Sequence, residues 1–452
     1  MAVPTSVPAG WIALAALLLA GCTAAGEEVQ PRGDALFFPT GLAVTPDEST
    51  LFVVNSNSNL RFDSGTVLAF DLEAIDQALE GWLADGDLAS GCSRDEAFSE
   101  TMQCDEVTFL MRDADDRPAA VRTGNFATDI GVQELASGAL RLLLPVRGDP
   151  SVTWIDWDAE GRRFDCGEGS GVVLCDDEHR LGRLRENPDL AAIDFEPYGI
   201  YVDSGGGYAV VTHLTSATVT LIDAPRDGSA PVIADKATGL FAANGLGQRG
   251  ALGVAGRTPG QPDNLLYVTS RTESRVQTLT VYRDEQFPES LPVLLPGAYF
   301  FLSGVQGSDD SRGIAFNGDG SHAFVVNRAP PALHILDTER SVQGFPVNTL
   351  DAAVEICREA SGVTAADLGG GDRAWVTCFG AGQVWSVDPG RGLTQTATTV
   401  GRGPFAIEVA IGRQRAYVTN FLEDTIAVMD LRPGSPTEHR VVLRLGAPRE
   451  AE

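Results

Sequence analysis

Arginine recurs at two kinds of position in this 452-residue chain. It directly follows three short apolar segments, LLPV, YVTS and FVVN, and it lies just before three others, in RTGNF, RGIAF and RGPFAI. The first group is Arg147, Arg271 and Arg328, and the second is Arg122, Arg312 and Arg402. The planar guanidinium group binds carboxylates and similar anions through paired hydrogen bonds. The arginines therefore predict an anion site, provided that the fold brings them together.

Established catalytic motifs do not occur in the sequence. There is no GxSxG elbow, Walker loop or HExxH pair. Residues 245–250 match the GxGxxG pattern, but no clear strand precedes them and no helix follows, so we predict a loop. The acidic clusters at 113–116 and 317–320 do not complete a calcium-binding loop. We therefore predict no catalytic residues, no metal site and no cofactor.

The elements that position the arginines belong to an internal repeat. Tyr417 opens one strand-like segment and Asp430 closes the next, thirteen residues later. An apolar residue, Ile407, lies ten residues before Tyr417. One or both intervals recur from Leu42, Leu143, Val210, Ile200, Phe324, Ile314 and Trp375. With two longer copies near residues 54 and 269, about seven repeats result, each with three or four alternating strand patterns separated by turn residues.

Seven repeats of about four strands predict an all-β fold, a seven-bladed β-propeller of four-stranded antiparallel blades. The segment YVTN at 417–420, followed by a strand that ends at Asp430, resembles the YVTN or YncE-like family of seven-bladed propellers. The resemblance covers about residues 36–446, although Pro145 stands in blade two where the family usually has threonine. It implies the fold strongly. It implies a function only weakly, because one fold supports many activities.

In such a propeller, the loops that carry the arginines surround the opening of the central channel. His213 occupies the position that matches Asn420, and aromatic residues lie near the same loops: Tyr198, Phe379, Phe405 and Phe421. We predict that Arg122, Arg147, His213, Arg271, Arg312, Arg328 and Arg402 line a mouth that binds an anionic or planar ligand, such as a carboxylate or a sugar acid. The alternative is that these arginines pair with loop carboxylates and hold the blades together.

The first residues predict export and a lipid anchor. Residues 11–22, WIALAALLLAGC, are apolar but too short to span a bilayer, and they end in a sequence resembling a bacterial lipobox. We predict a signal peptide at 1–21, acylation at Cys22 and a flexible tether at 22–34. The propeller then occupies 35–447, with insertions at about 72–121 and 159–190. The first insertion begins with a short helix at 72–84.

The other six cysteines fall into three pairs that are close in sequence. We expect disulfides between Cys92 and Cys104, Cys166 and Cys175, and Cys357 and Cys378. Zinc is the poorer interpretation, since no CxxC occurs and the histidines are not suitably spaced.

The formal net charge of −29 argues against nucleic-acid binding, which requires a basic surface. We expect a monomer in the bacterial cell envelope, anchored by membrane lipid through Cys22. Its predicted function is non-enzymatic binding of an anionic small molecule or an envelope protein at the channel mouth. The alternatives are a propeller enzyme, similar to a lactonase or a quinone-dependent dehydrogenase, and a surface adhesion or structural protein.

Overall fold

The computed structural model describes residues 29–167, 169, 171–182, 192–242, 250–257, 263–287, 289–302 and 309–447. The predicted signal peptide, Cys22 and most of the loop at 245–250 lie outside these ranges. Seven sheets form the blades of a β-propeller, which confirms the predicted fold. The described residues contain no helix that is long and apolar enough to cross a membrane.

Each blade contains four strands in chain order from the central channel outwards. Blade one consists of β1 (Pro39–Val44), β2 (Thr50–Asn55), β3 (Gly65–Asp71) and β6 (Ala120–Thr123). Blade two consists of β7 (Gly131–Glu134), β8 (Leu140–Val146), β9 (Ser151–Asp158) and β10 (Arg163–Asp165), and β11 (Arg180–Leu181) also pairs with β9. Blade three consists of β12 (Pro197–Asp203), β13 (Tyr208–His213), β14 (Val219–Asp223) and β15 (Val232–Ala237).

Blade four consists of β16 (Ala251–Gly256), β17 (Leu265–Ser270), β18 (Arg275–Tyr282) and β19 (Val293–Phe301), and blade five of β20 (Asp309–Phe316), β21 (His322–Ala329), β22 (Pro331–Asp337) and β23 (Thr349–Glu355). Blade six consists of β24 (Ala360–Asp367), β25 (Asp372–Cys378), β26 (Gln383–Asp388) and β27 (Leu393–Thr399). Blade seven consists of β28 (Pro404–Ala410), β29 (Arg415–Asn420), β30 (Thr425–Asp430) and β31 (Arg440–Leu445). The insertion after β3 contains α1 (Leu72–Asp85), β4 (Cys92–Arg94), β5 (Met102–Cys104) and a 3-10 turn (Glu106–Thr108). α1 confirms the predicted helix.

Alternating apolar residues bury both faces of each blade. In β29, Tyr417 packs into the core shared with blade one, whereas Val418 packs against Trp375 of blade six. All three side chains are fully buried. Neighbouring side chains of a strand point to opposite faces of the sheet, so the alternation that predicted each strand also supplies the contacts between blades.

Threonine side chains tie most blades to the next one. In β29, Thr419 accepts a hydrogen bond at Oγ1 from the Ala406 N–H of its own blade (3.0 Å) and donates to the Thr40 carbonyl of blade one (2.9 Å). Equivalent donations run from Thr212 to Leu252 O, from Thr269 to Arg312 O and from Thr377 to Phe405 O.

Three blades lack this threonine, and another side chain bridges to the next blade in each. Thr40 donates to Ala127 O from blade one, and Thr128 donates to Tyr198 O from blade two. In blade five, Arg328 Nε donates to Ala360 O at 2.6 Å. Every junction of the ring therefore carries a hydrogen bond from a side chain of one blade to a backbone carbonyl of the next. The acceptor lies on the inner strand of that next blade or, for Ala127, just before it. A bond of this kind contributes about 1 kcal/mol.

The first insertion closes the ring on the outside. β4 and β5 add to the edge of blade seven, where β5 pairs in parallel with β31. Thr101 Oγ1 donates to Val441 O (2.8 Å), and Arg444 forms a buried ion pair with Asp95 (2.8 Å). On the inside, β28 packs directly against β1. Residues from near the two ends of the propeller thus meet twice, at the channel and at the rim.

All three predicted disulfides are present. The bond between Cys92 and Cys104 joins β4 to β5, within the segment that closes the ring. Structural disulfides are typical of an oxidising compartment, such as the periplasm or the cell exterior.

Candidate functional site

The inner strands of the seven blades enclose a cavity of about 600 Å³. One aliphatic side chain from each blade contributes to its wall, and together they form an apolar collar: Leu42, Ile130, Ile200, Val254, Ile314, Val363 and Ile407. The inner strands approach each other so closely that a Cβ atom on Gly253 would lie 2.4 Å from the Arg312 carbonyl oxygen, and one on Gly199 would lie 2.6 Å from that of Leu252. Glycine is therefore required at these positions, and the inner strands are closely packed around the cavity.

Two of the seven predicted mouth residues line the cavity, Arg312 and Arg328. Arg312 binds Asp310 through Nε (2.6 Å) and Nη2 (2.9 Å). Arg328 donates from Nε to Ala360 O and from Nη2 to Ser361 Oγ (2.7 Å). Within the described chain, both sets of contacts use Nε and Nη2, which leaves the Nη1 groups for a ligand. Burial, followed by the charge of Arg312, lowers the pKa of Arg328.

The other predicted arginines do not line the cavity. Arg122 is buried in β6 and pairs with Asp63 (2.6 Å), and Arg147 pairs with Glu196 through Nε (2.6 Å). Arg402 lies 3.7 Å from a Glu423 carboxylate oxygen. The Arg271 side chain packs against Gly250 and fills the space that a Cβ atom there would need. For Arg122 and Arg147 these contacts match the alternative interpretation, in which arginines hold loops and blades together.

His213 has a structural environment. It is fully buried, and its ring nitrogens contact the Phe195 carbonyl oxygen (3.1 Å) and Thr220 Oγ1 (2.8 Å). Burial lowers its pKa to about 4, so the ring is neutral at physiological pH. A neutral imidazole with both nitrogens engaged is not part of an anion site.

Three carboxylates outside the predicted site also line the cavity, Asp129, Glu359 and Glu408. Asp129 accepts hydrogen bonds from the backbone N–H groups of Ile130 (2.9 Å) and Ile200 (3.1 Å). Burial outweighs these bonds and raises the pKa of Asp129 to about 6. Burial, followed by the charge of Asp129, raises the pKa of Glu408 to about 7. The charge of Asp129 thus disfavours the ionisation of Glu408.

A break in the inner-strand pattern marks Asp129 and Glu408 in the sequence. Directly before the collar residue, five blades have glycine and blade seven has alanine, whereas blade two has Asp129. Directly after the collar residue the other blades have only uncharged residues, whereas blade seven has Glu408. A charged group beside a narrow channel is costly to bury unless it is paired and hydrogen-bonded.

Aromatic rings form the remaining wall. Tyr198, Phe379 and Phe405 line the cavity, and Phe421 supports the two phenylalanines at centroid distances of 6.1 and 6.0 Å. Burial raises the pKa of Tyr198, the nearby arginines oppose this effect, and the charge of Asp129 adds to it. The charges of the arginines and of Asp129 thus both act on Tyr198.

The donor set does not suit a metal ion. No group of three or more His, Cys, Asp or Glu residues in the described part of the chain is arranged to hold one. The three carboxylates and two guanidinium groups of the cavity suit an organic ligand with charged groups.

No protein-family model matches the chain, and no curated protein matches it. Several solved propeller structures are similar in fold. A Bacteroides fragilis protein assigned provisionally as a 6-phosphogluconolactonase is 12% identical with a TM-score of 0.56, over 89% of this chain and 99% of the other. Kuenenia stuttgartiensis hydrazine synthase is 12% identical with a TM-score of 0.51, over 90% and 98%. The Cps50 (Swd1) propeller domain of Myceliophteria thermophila is 11% identical with a TM-score of 0.51, over 89% and 99%.

At such identities the likeness shows the fold alone. The chain is a seven-bladed β-propeller with solved neighbours of the same architecture. Membership of the YVTN or YncE-like family stays a prediction.

Proposed function

We propose that this protein is an exported, lipid-anchored β-propeller that binds a small anionic molecule in its central cavity without transforming it. The observation that carries the proposal is the environment of Arg328. Its guanidinium lines the cavity and is held by two backbone carbonyls and a hydroxyl. A half-buried cation whose hydrogen bonds go to uncharged groups can pair with an anionic ligand.

The rest of the cavity supports a small ligand. Its volume of about 600 Å³ lies within the range of ligand pockets, roughly 300–1,000 Å³. The aliphatic collar and the aromatic wall would exclude water from the bound molecule, and an ion pair becomes stronger as water is excluded. The closely packed ring would hold the arginines in place before the ligand arrives, which reduces the entropy cost of binding.

Isothermal calorimetry of the full chain in detergent, with gluconate, glucuronate and inorganic phosphate as probes, tests anion binding. We expect Arg328→Gln and Arg312→Gln each to weaken binding at least tenfold. Glu359→Gln should strengthen it, because Glu359 is a cavity carboxylate that competes for Arg328. Arg391→Gln, on an exposed hairpin of blade six, is the control.

Binding that neither cavity arginine affects would overturn the proposal, and so would absence of binding by these three probes together with the amino acids and simple acids tested below. The anchor has its own test, since mass spectrometry of the membrane-derived protein should find a chain that begins at an acylated Cys22. An uncleaved N-terminus would refute export by this route.

A hydrolytic enzyme is the second candidate function. The carboxyl groups of Asp129 and Glu408, with pKa values raised to about 6 and about 7, suit a general base near neutral pH. A similar fold occurs in the protein assigned provisionally as a 6-phosphogluconolactonase. Hydrolysis of glucono-δ-lactone faster than its spontaneous rate, lost in Glu408→Gln, would favour this function over binding alone.

A further inference from the structure

The central cavity has charged groups of opposite sign at separate places. Arg312 and Arg328, both in blade five, form one pole, and Asp129, just before blade two, and Glu408, in blade seven, form the other. A further lining carboxylate, Glu359, belongs to the arginine pole, because its charge acts on Arg328. Tyr198 of blade three lines the same cavity; burial raises its pKa, the charges of Arg312 and Arg328 lower it, and the charge of Asp129 raises it. Both poles line the same cavity, so a single small molecule bound there can contact both of them.

The two poles do not neutralise each other. The hydrogen bonds to Asp129 in the described chain come from backbone N–H groups, and the Glu408 carboxylate has no hydrogen-bond or ion-pair partner there. Arg312 pairs instead with Asp310, and Arg328 with backbone and serine oxygens. The carboxylate pole therefore lacks a cation of its own.

We propose that the cavity ligand is zwitterionic, with an anionic group bound at Arg312 and Arg328 and a protonated amine bound between Asp129 and Glu408. This inference rests on the proposed function and adds the second half of the ligand. An ammonium group supplies up to three N–H donors to acceptor-only carboxylates. It also removes the repulsion between two like charges that face one water-poor space.

The opposite wall supports the same ligand class. Apart from the charged groups, the cavity is lined by Tyr198, Phe405 and the aliphatic collar. These groups would pack against a short carbon chain that separates an amine from a carboxylate or phosphate. The ligand class is therefore an amino acid or a related amino-terminated acid, rather than a simple dicarboxylate or sugar acid.

Calorimetry of the full chain in detergent at pH 8 tests this inference with matched probes. The zwitterions are glycine, 4-aminobutanoate and 6-aminohexanoate. Acetate, butanoate and hexanoate lack the amine, and methylamine, propylamine and pentylamine lack the acid. We expect at least one zwitterion to bind ten or more times as tightly as both of its singly charged analogues.

Variants of the carboxylate pole should remove only the contribution of the amine. Glu408→Gln and Asp129→Asn are expected to bring the affinity for the best zwitterion down to that for its acid, while the acid itself binds as well as before or better. Glu355→Gln, at an exposed position of β23, is the control. Circular dichroism checks that each variant is folded, and the two independent variants guard against a local defect in one of them.

The outcomes separate this inference from the proposed function. If the acids bind and the amine adds nothing, the zwitterion inference is wrong and anion binding stands. If the amines bind as tightly as the zwitterions and Arg328→Gln has no effect, anion binding is wrong. If no probe and no sugar acid binds, both are overturned.

Discussion

Replacing Glu408 with glutamine should stabilise the protein at alkaline pH. Burial, followed by the charge of Asp129, raises the pKa of the Glu408 carboxyl from 4.5 to about 7. The native state therefore favours the protonated form, and its stability falls as the pH rises from 4.5 to 7. Multiplying the pKa difference by about 1.4 kcal/mol per pH unit gives about 3 kcal/mol as the upper limit of the cost of ionisation.

Glutamine keeps a similar shape and carries no charge, so the variant escapes this cost. With an unfolding entropy of about 2 cal/mol/K per residue, 3 kcal/mol corresponds to roughly 3 °C in Tm for a propeller of this size. The other charged and titratable groups that line the cavity, Asp129, Tyr198, Arg312, Arg328 and Glu359, remain the same in both proteins. The difference between wild type and variant therefore isolates Glu408.

Thermal unfolding of wild type, Glu408→Gln and the exposed control Glu355→Gln at pH 5 and pH 8 measures the effect. We expect Glu408→Gln to melt up to about 3 °C above wild type at pH 8 and close to wild type at pH 5. The control should match wild type at both. A variant that melts below wild type at pH 8, or a difference that does not change with pH, would show that Glu408 is not held at a raised pKa.

Three further predictions concern the frame around the cavity. Thr419→Val should lower the unfolding free energy by about 1–2 kcal/mol in urea titrations, because it removes the bond to Thr40 O; an unchanged midpoint would count against the threonine bridge. Replacing Cys92 and Cys104 with serine should cost about 3 kcal/mol, whereas no loss of Tm would show that this disulfide does not stabilise ring closure. His213→Gln should make the unfolding free energy fall less between pH 6.5 and pH 4. In the wild type, the folded protein loses stability over this range because the buried ring, with a pKa of about 4, stays neutral while the unfolded chain takes up a proton. An equal loss in variant and wild type would contradict this.

The repeat spacing predicted the blades because every blade must bury both faces of its sheet against the neighbouring blades. Alternating residues such as Tyr417 and Val418 must cover two neighbouring sheets, so their pattern is visible in any one copy. Ring closure was not predictable in this way. β5 has three residues, too few for a periodic signal, and its partner β31 lies more than 300 residues away in the chain.

The candidate site was predicted only in part for a related reason. The position of an arginine within its blade shows whether it lies near the channel. It does not show whether a carboxylate from another loop forms an ion pair with it. Glu196 lies 49 residues from Arg147 and binds it, whereas Arg328 meets carbonyls and a hydroxyl. Asp129 and Glu408 could have been found by aligning the inner strands, where each replaces a residue that is uncharged in the other blades.

The composition of the chain bears on which ligand such a cavity can take. A net charge of −29 repels anions from the protein as a whole. At physiological salt, charges are screened beyond about 8 Å, so the repulsion acts mainly near the surface and at the channel entrance. A zwitterion carries no net charge and does not meet this barrier, yet it can still form both ion pairs inside. The acidic exterior and the bipolar cavity therefore favour the same class of ligand for independent electrostatic reasons.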